Sequence, residues 1–284
     1  MKTVGLITAA IAKKQPREIK KVTDGLEKCG LEIISDCREC SENYIEEYDE
    51  LFSKIDTAVV LGGDGTILSV AQYSARYNVP ILGLNFGHLG YLAELSKEQT
   101  EEFARIINGE YETEERMMLD VKVVREGKEI YSSTALNDAV ATKGMLSKMV
   151  HMLLEIDGKY TGDYYSDGLI VSTPTGSTAY SLSAGGPIVE PKLNIMLITP
   201  ICAHSTNARP MVIADEQTVK VTVDIYHGED AALMCDGKQP VMLRHGDEIY
   251  VTKSEYKTKL IRFQERNFFD ILNKKLKGRG IKNV

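Results

Sequence analysis

The sequence predicts two successive domains, an open doubly wound α/β domain followed by an all-β sandwich, and three observations support this prediction. First, 284 residues are enough for two domains of roughly 100–150 residues each. Second, the first part alternates short apolar strands with amphipathic helices, and glycine-rich turns follow two of the strands. Third, from about Glu112 the pattern changes to short strand-like segments with little helix between them.

We expect the α/β domain to cover residues 1–112 and the sandwich to cover residues 113–265. The remaining residues, 266–284, include a predicted helix at 267–277, and its apolar positions are Phe268, Phe269, Ile271, Leu272 and Leu276. Because a helix after the last strand needs an apolar surface to cover, we expect it to return to the α/β domain and complete it.

The first domain begins with a predicted strand over residues 2–8 and a helix that starts at Pro16, since proline favours the first helical turn. Gly30 ends this helix at its C-cap. The inward-facing residues of the helix are Ile19, Val22, Leu26 and Cys29.

The rest of this domain continues the alternation. Residues 31–35 form a predicted strand, the acidic stretch 43–54 is predicted to be helical, and a short apolar strand follows at 56–61. After a helix that extends to about Tyr77 comes a strand at 79–84. A capping box at 96–99 then begins a helix that ends near Gly109.

The second half contains ten predicted strands separated by turns such as Asp157-Gly158 and Asp236-Gly237. These strands cover residues 119–125, 128–134, 138–143, 150–156, 168–172, 195–199, 218–225, 231–235, 248–252 and 259–263.

Charge and hydropathy exclude several classes of partner. The net charge is −7, and no block of like charge is longer than a few residues, so we expect neither nucleic acid nor an anionic membrane as a partner. No stretch approaches the roughly 18 apolar residues of a membrane span. The N-terminus leads directly into a strand without a signal peptide, and we therefore expect a cytoplasmic protein.

The cysteines and histidines do not indicate a structural metal site. There are five cysteines, an odd number that suits a reducing compartment. Cys37 and Cys40 form a lone C-x-x-C without a second pair, so we interpret them as ordinary thiols rather than zinc ligands. The five histidines show no spacing typical of metal ligands.

The motif Leu61-Gly62-Gly63-Asp64-Gly65-Thr66 lies between an apolar strand and a helix, and the rest of the chain is organised around it. Its glycines allow the backbone to adopt positive φ and to approach a ligand closely, while the backbone amides and the helix N-terminus form an anion site. A phosphate repels the Asp64 carboxylate unless that carboxylate binds a metal or accepts a proton. This conflict indicates phosphoryl transfer, and the alternative is a turn aspartate without chemistry.

Two segments of the second half also carry polar groups at strand ends. Asn137 and Asp138 follow one strand, where turn chemistry is the alternative to a functional role. Another strand leads into a Pro/Gly turn with hydroxyls at Thr175, Ser177 and Thr178, and Tyr180 behind it can pack on a flat ring. A tight packing corner is the alternative here. We expect these groups and the glycine-rich turns to form one site at the domain interface.

Four motifs, in their order and spacing, resemble the NAD kinase family over nearly the whole chain. They are Gly62-Gly63-Asp64-Gly65-Thr66, the N-x-G-x-L-G-Y segment from Asn85 to Tyr91, Ala135-Leu136-Asn137-Asp138, and T-P-T-G-S-T-A-Y from Thr173 to Tyr180 followed by Gly185-Gly186. The resemblance implies ATP-dependent phosphorylation of the adenosine ribose 2′-hydroxyl of NAD, with Mg²⁺ or another divalent metal and no direct protein ligation of that metal. It also implies a homodimer or homotetramer.

The resemblance assigns roles to individual residues. Asp64 matches the catalytic aspartate, and Tyr91 matches an aromatic residue that flanks the NAD adenine. Asn137 and Asp138 match a pair at the ribose and phosphates. The other residues assigned by the resemblance to binding NAD or ATP are Gly63, Gly65, Asn85, Asp167, Thr178, Ala179, Tyr180, Ser183 and Asp236.

At one position the sequence departs from the bacterial family pattern. Tyr165 occupies a place where many members have arginine, so a cation there must come from another residue, such as Lys143, Lys148 or Lys159. Three alternatives remain for the function. They are a lipid kinase of the diacylglycerol type, a sugar kinase of the phosphofructokinase type and a non-catalytic NADP-sensing module. The first lacks a membrane-facing stretch, the second does not account for the β-rich half, and the third has no use for a carboxylate facing phosphates.

Overall fold

A computed structural model describes residues 2–38, 40–41, 43–87, 90–144, 148–204, 208–225, 230–263 and 267–279. The chain divides into two compact units. The first unit contains the residues up to Glu115 together with those from Thr258 onward, and the second contains Arg116–Lys257. No helix in the part of the chain just given is both long and apolar enough to span a membrane.

The first unit is built on a parallel sheet. Its strands are β1 (Thr3–Thr8), β2 (Glu32–Ser35), β3 (Thr57–Gly62), β4 (Ile81–Asn85) and the short β5 (Leu95–Ser96). They pair in the order β2-β1-β3-β4, with β5 beside β4. The helices of this unit are α1 (Ala10–Lys13), α2 (Pro16–Lys28), α3 (Tyr48–Phe52), α4 (Asp64–Tyr77), a 3₁₀ turn at Thr100–Phe103, α5 (Ala104–Asn108) and the C-terminal α7 (Phe268–Arg279). The short helix α6 (Tyr180–Ser183) belongs to the second unit.

Helices cover both faces of this sheet because the strands are apolar on both sides. Leu26 of α2 packs in one core cluster with Leu82 and Leu84 of β4. Gly83, between those two leucines, points to the opposite face, where Ile67 of α4 lies so close that a Cβ on Gly83 would clash with it. This arrangement agrees with the predicted open α/β class.

Two predicted helices of the first unit differ from the structure. The acidic stretch 43–54 is helical only at Tyr48–Phe52, because the backbone around Tyr44 hydrogen-bonds to Ser35 and runs extended beside β2. At the predicted capping box, the Ser96 amide does donate to Gln99 Oε1 at 2.9 Å. The helix after it nevertheless begins as a 3₁₀ turn, and only Ala104–Asn108 is α-helical before Gly109 ends it with φ of 69°.

The second unit is a sandwich of two antiparallel layers around one apolar core. One layer has the order β13-β12-β11-β8-β15-β16, and these strands are Met211–Ala214, Ile195–Ile201, Gly168–Ser172, Asp138–Lys143, Ala231–Cys235 and Val241–Leu243. The other layer contains β6 (Glu112–Arg125), β7 (Lys128–Ala135), β9 (Val150–Ile156), β10 (Lys159–Ser166), β14 (Val219–Asp224) and the first part of β17 (Glu248–Arg262). Side chains of both layers form one buried cluster, so the predicted sandwich is confirmed.

Among the described residues of the second unit, three strands were not predicted, and two predicted strands form a single strand. The missed strands are β10, β13 and β16. β10 pairs with β9 through a hairpin turn at Asp157-Gly158, where both residues have positive φ, and most of its side chains are at least partly exposed, so it lacks an apolar signature. The predicted strands 248–252 and 259–263 belong to the single strand β17, whose polar middle stretch hides its continuity.

Candidate functional site

In the first unit, the glycine-rich motif joins the end of β3 to the start of α4. Gly63 is the N-cap of α4 with φ of −116°, and Asp64 is the first helical residue. The freedom of glycine to adopt positive φ is not used here, because Gly62, Gly63 and Gly65 are not among the residues with that conformation. The requirement for glycine is steric instead. A Cβ on Gly62 would clash with Thr66 Oγ1, whereas Gly63 and Gly65 face open space from which a ligand can reach the backbone.

The Asp64 carboxylate connects this motif to the second glycine-rich turn. Oδ2 accepts a hydrogen bond from the Tyr91 amide at 2.8 Å, and Oδ1 accepts one from the Leu92 amide at 3.0 Å. Gly90 lies so close that a Cβ there would clash with the carboxylate. In the same turn, Asn85 Oδ1 accepts from the Gly87 amide at 2.9 Å, and the motif residues His88 and Leu89 lie outside the described residues.

A lysine of α7 completes the surroundings of Asp64. Lys275 Nζ is 3.4 Å from Asp64 Oδ2 and 4.1 Å from the centre of the Tyr91 ring. Phe268, at the start of the same helix, lies with its ring 6.2 Å from that of Tyr91. Sequence reasoning missed Lys275, because nothing in the local pattern distinguishes it from its neighbours Lys274 and Lys277.

In the second unit, Asp236 holds the Asn137-Asp138 pair in place. Its carboxylate accepts hydrogen bonds from the backbone amides of Leu136 at 2.8 Å, Asn137 at 2.7 Å and Asp138 at 3.2 Å. The Asp236 amide in turn donates to the Asp138 carbonyl at 3.0 Å. The Asp236 backbone has φ of 51°, a left-handed conformation that aspartate tolerates better than most residues.

Burial shifts the ionisation of this acidic pair. Loss of solvent raises the pKa of Asp138 to about 7, and the neighbouring Asp236 charge adds to the rise. Burial also raises the pKa of Asp236, against the opposing effect of its three amide donors. A carboxyl group that titrates near neutral pH beside a strand end is typical of a binding or catalytic position.

The hydroxyl-rich turn packs against the same strand end. Thr173 Oγ1 donates to the Leu136 carbonyl at 2.6 Å, and the Thr173 amide donates to the Asn137 carbonyl at 2.8 Å. Gly176 lies against that backbone so closely that a Cβ would clash with Asn137. Ser177 is fully buried and bonds to Pro174 and Val189, so its hydroxyl has a structural role.

The four predicted binding residues that follow in this segment remain accessible. Thr178 and Ala179 are half-buried, whereas Tyr180 and Ser183 are exposed. The structure therefore brings Asn137, Asp138 and the T-P-T-G-S-T-A-Y segment together within the second unit.

The surroundings of Asp167 and Tyr165 also follow from the structure. Lys143 Nζ forms an ion pair with Asp167 Oδ1 at 2.9 Å, whereas Lys148 and Lys159 are exposed. The Tyr165 ring stacks on His151, with centroids 4.2 Å apart and planes inclined by 10°. Of the three lysines considered for the missing arginine, Lys143 is the one held beside a predicted binding residue.

Comparison with protein families assigns both halves of the chain to one family. The model described as ATP-NAD kinase N-terminal domain matches residues 12–111, and the model described as ATP-NAD kinase C-terminal domain matches residues 136–263. The NAD kinase of Carboxydothermus hydrogenoformans is 42% identical over 240 residues, which are 84% of this chain and 85% of the relative. The NAD kinase of Caldanaerobacter subterraneus subsp. tengcongensis is 40% identical over 98% of this chain and 100% of the relative.

Two solved structures have a similar fold. The NAD kinase from Archaeoglobus fulgidus in complex with ATP has a TM-score of 0.76 and 26% sequence identity, and the match covers 98% of this chain and 100% of that one. Yeast NADH kinase complexed with NADH has a TM-score of 0.86 and 23% identity, over 100% of this chain and 89% of that one. At that identity the second comparison shows the fold alone.

Proposed function

The chain belongs to the ATP-NAD kinase family, and on this basis we propose that it transfers the γ-phosphoryl group of ATP to the adenosine ribose 2′-hydroxyl of NAD, giving NADP. The observation that carries the proposal is the position of Asp64, a carboxylate at the N-terminus of α4 beside glycines that leave the backbone open. We expect the protein to act in the cytoplasm as a homodimer or homotetramer.

Asp64 is the proposed general base. The 2′-hydroxyl gives its proton to the Asp64 carboxylate, the 2′-oxygen forms a bond to the γ-phosphorus, and the bond between that phosphorus and the β-phosphate oxygen breaks to release ADP. Two backbone amides, from Tyr91 and Leu92, hold the carboxylate in a defined orientation. A base positioned in this way typically contributes about 10²–10⁴ in rate.

The nucleotide phosphates are expected at Gly63 and Gly65. The N-terminus of α4, a helix of 14 residues, carries a partial positive charge that favours an anion there. We expect Asn85 to support this loop through its bond to the Gly87 amide.

We propose that the second unit provides most of the contacts to NAD. Asn137 and Asp138 are expected to bind the ribose, and their amides are already ordered by Asp236. The half-buried Thr178 and Ala179 and the exposed Tyr180 and Ser183 are expected to contact the adenosine and the nicotinamide side, together with Asp167. Tyr91 stays the predicted partner of the adenine ring.

The chemistry of this family implies a divalent metal, and we propose Mg²⁺. Among the described residues, no group of three or more His, Cys, Asp or Glu side chains could hold a metal ion. The proposal of Mg²⁺ rests on its typical binding through one or two carboxylates together with substrate phosphates, rather than through an all-protein site. A metal bound with ATP would neutralise phosphate charge, and Asp64 would orient it without direct ligation. The lipid-kinase, sugar-kinase and NADP-sensing alternatives have no support from the relatives.

Replacing Asp64 with asparagine tests the assignment of the base. Asp64→Asn keeps the shape and one oxygen acceptor but cannot take the proton, so we expect kcat to fall by about 10²–10⁴ while the Kd for NAD changes little. The measurement is NADP formation from NAD and ATP with Mg²⁺, followed by mass spectrometry, with NADH and diacylglycerol as parallel acceptors.

The matched control for this test is Asp49→Asn, which removes an exposed carboxylate from the same unit. Normal turnover in Asp64→Asn would contradict the base assignment. Phosphorylated diacylglycerol, or no phosphorylated dinucleotide from the wild-type protein, would contradict the proposed function itself.

A further inference from the structure

We propose that Lys275 of α7 is a ligand for the γ-phosphate of ATP, held against Asp64 until the nucleotide binds. This inference rests on the proposed kinase function and adds a residue that neither the family motifs nor the glycine-rich loop contains. It follows from the position of the lysine, the charge of the loop and the nature of the contacts that the ammonium makes.

The position of Lys275 is defined by the packing of its helix. Phe268, Leu272 and Lys275 are spaced by four and three residues, so they lie on one face of α7. Phe268 lies against the Tyr91 ring, and Leu272 is buried with 8% exposure. These two contacts direct the third residue of the face, Lys275, to Asp64.

The glycine-rich loop needs a cation that it does not contain. Residues 62–66 carry one charged side chain, the negative Asp64, whereas other phosphate-binding loops end in a lysine that reaches the β- and γ-phosphates. The net charge of the chain is −7, so a polyphosphate is not attracted by the molecule as a whole. Lys275 places an ammonium 3.4 Å from that acidic residue, at the predicted position of the transferred group.

The contacts of the ammonium are weak enough to be exchanged. The ion pair with Asp64 is partly exposed, with 23% of the lysine side chain and 27% of the aspartate side chain accessible, and pairs of this kind contribute little. The Tyr91 ring offers a cation–π contact at 4.1 Å from the same position. A phosphate with two negative charges competes favourably with one carboxylate for the ammonium, and the flexible lysine stem lets the head group move.

Transfer of the ammonium to the phosphate would also remove one contact of Asp64, because Lys275 Nζ lies 3.4 Å from its Oδ2. The same displacement would bring positive charge to the phosphoryl group, where negative charge must be stabilised during transfer.

The test compares ATP with ADP, which lacks the γ-phosphate. Lys275→Met removes the charge and keeps the length of the side chain, whereas Lys275→Arg keeps the charge. Lys274→Met is the control, because Lys274 is exposed on the same helix. Calorimetry measures ATP and ADP affinity for each full-length variant at one Mg²⁺ concentration, and a coupled assay measures kcat. We expect Lys275→Met to lower ATP affinity by about 10- to 100-fold, which is the effect of one lost hydrogen bond to a charged group.

The other expected results separate this role from a structural one. In Lys275→Met, the affinity for ADP should stay within about threefold of the wild type, whereas kcat should fall. Lys275→Arg should recover part of the losses in ATP affinity and kcat, and Lys274→Met should behave as the wild type. Equal losses for ATP and ADP, unchanged ATP affinity, or a rise in kcat would overturn the inference. A wild-type protein that forms no NADP refutes the proposed function, whereas an active wild type with an unaffected Lys275→Met refutes this inference alone.

Discussion

Asp138 illustrates how burial changes the chemistry of a single residue. The side chain is 5% exposed, and its neighbour in space is a second buried carboxylate, Asp236. Desolvation disfavours the charged form of both groups, so Asp138 stays protonated up to a pH near its pKa of about 7. The sequence alone left two interpretations of Asp138, a turn residue and a binding residue.

The raised pKa of Asp138 predicts a dependence of stability on pH. Between the unfolded value of 3.8 and the folded value of about 7, the folded chain binds the proton more tightly than the unfolded chain. The contribution is therefore fully present below pH 4 and is lost as the pH rises through 7, at a slope of at most about 1.4 kcal/mol per pH unit. Asp138→Asn cannot titrate and should lack this part of the slope.

Urea unfolding at several values between pH 5 and pH 8 measures the slope for wild type and variant. The wild-type protein should lose more stability over this range than Asp138→Asn. Parallel curves would mean that Asp138 does not titrate in this window. Asp36, whose burial also raises its pKa, titrates in both proteins and cancels in the comparison.

Two further residues are predicted to act in substrate binding. Asn137→Ala and Thr178→Ala should mainly raise the KM for NAD, by about tenfold for one lost hydrogen bond. The value of kcat should stay nearly unchanged, because the lost contact stabilises bound NAD and the transition state equally. Steady-state kinetics with NAD as the varied substrate measures the split. Thr161→Ala, an exposed threonine of β10, is the control, and an unchanged KM with a collapsed kcat would contradict the binding role.

At the scale of elements, Asp64 joins the N-terminus of α4 to the turn after β4, because its carboxylate accepts hydrogen bonds from the amides of that turn. Gly90 is the closest point of contact, since a Cβ there would clash with the carboxylate. Gly87, in the same turn, has only Ile11 Cδ1 near the corresponding position, at 3.7 Å. A side chain at Gly90 would therefore clash, whereas one at Gly87 would fit, although both glycines belong to one motif.

This difference predicts opposite outcomes for two matched substitutions. Gly90→Ala should displace Asp64 or its amide donors and lower kcat by about 10- to 100-fold, since one hydrogen bond to a charged group is at risk. Gly87→Ala should keep activity near the wild-type level because 3.7 Å is an ordinary contact. The NADP-forming assay measures both, with circular dichroism to confirm folding. Equal activities in the two variants would show that the close approach at Gly90 has no role.

For the whole molecule, the two units differ in how well the sequence predicts them. In the first unit, continuous apolar runs identify parallel strands buried on both faces, and the strands after Gly30 and before Gly62 lie within two residues of their predicted bounds. In the second unit, the core strands β8, β9, β11 and β15 agree with the prediction at both ends. Strands with mostly exposed side chains, such as β10, were missed because they lack a continuous apolar pattern and depend largely on backbone pairing with a neighbouring strand.

The sequence by itself determined the fold class and the family, because hydrophobic periodicity and motif spacing are properties of neighbouring residues. It also predicted a chemical role for Asp64, since a carboxylate among glycines is unusual whatever surrounds it. Only the tertiary structure decided which groups contact that carboxylate. The Lys275 ammonium and the Tyr91 and Leu92 amides come from segments far apart in the chain, and the three amides on Asp236 come from about 100 residues away. Such contacts depend on how the elements pack, which no local pattern encodes.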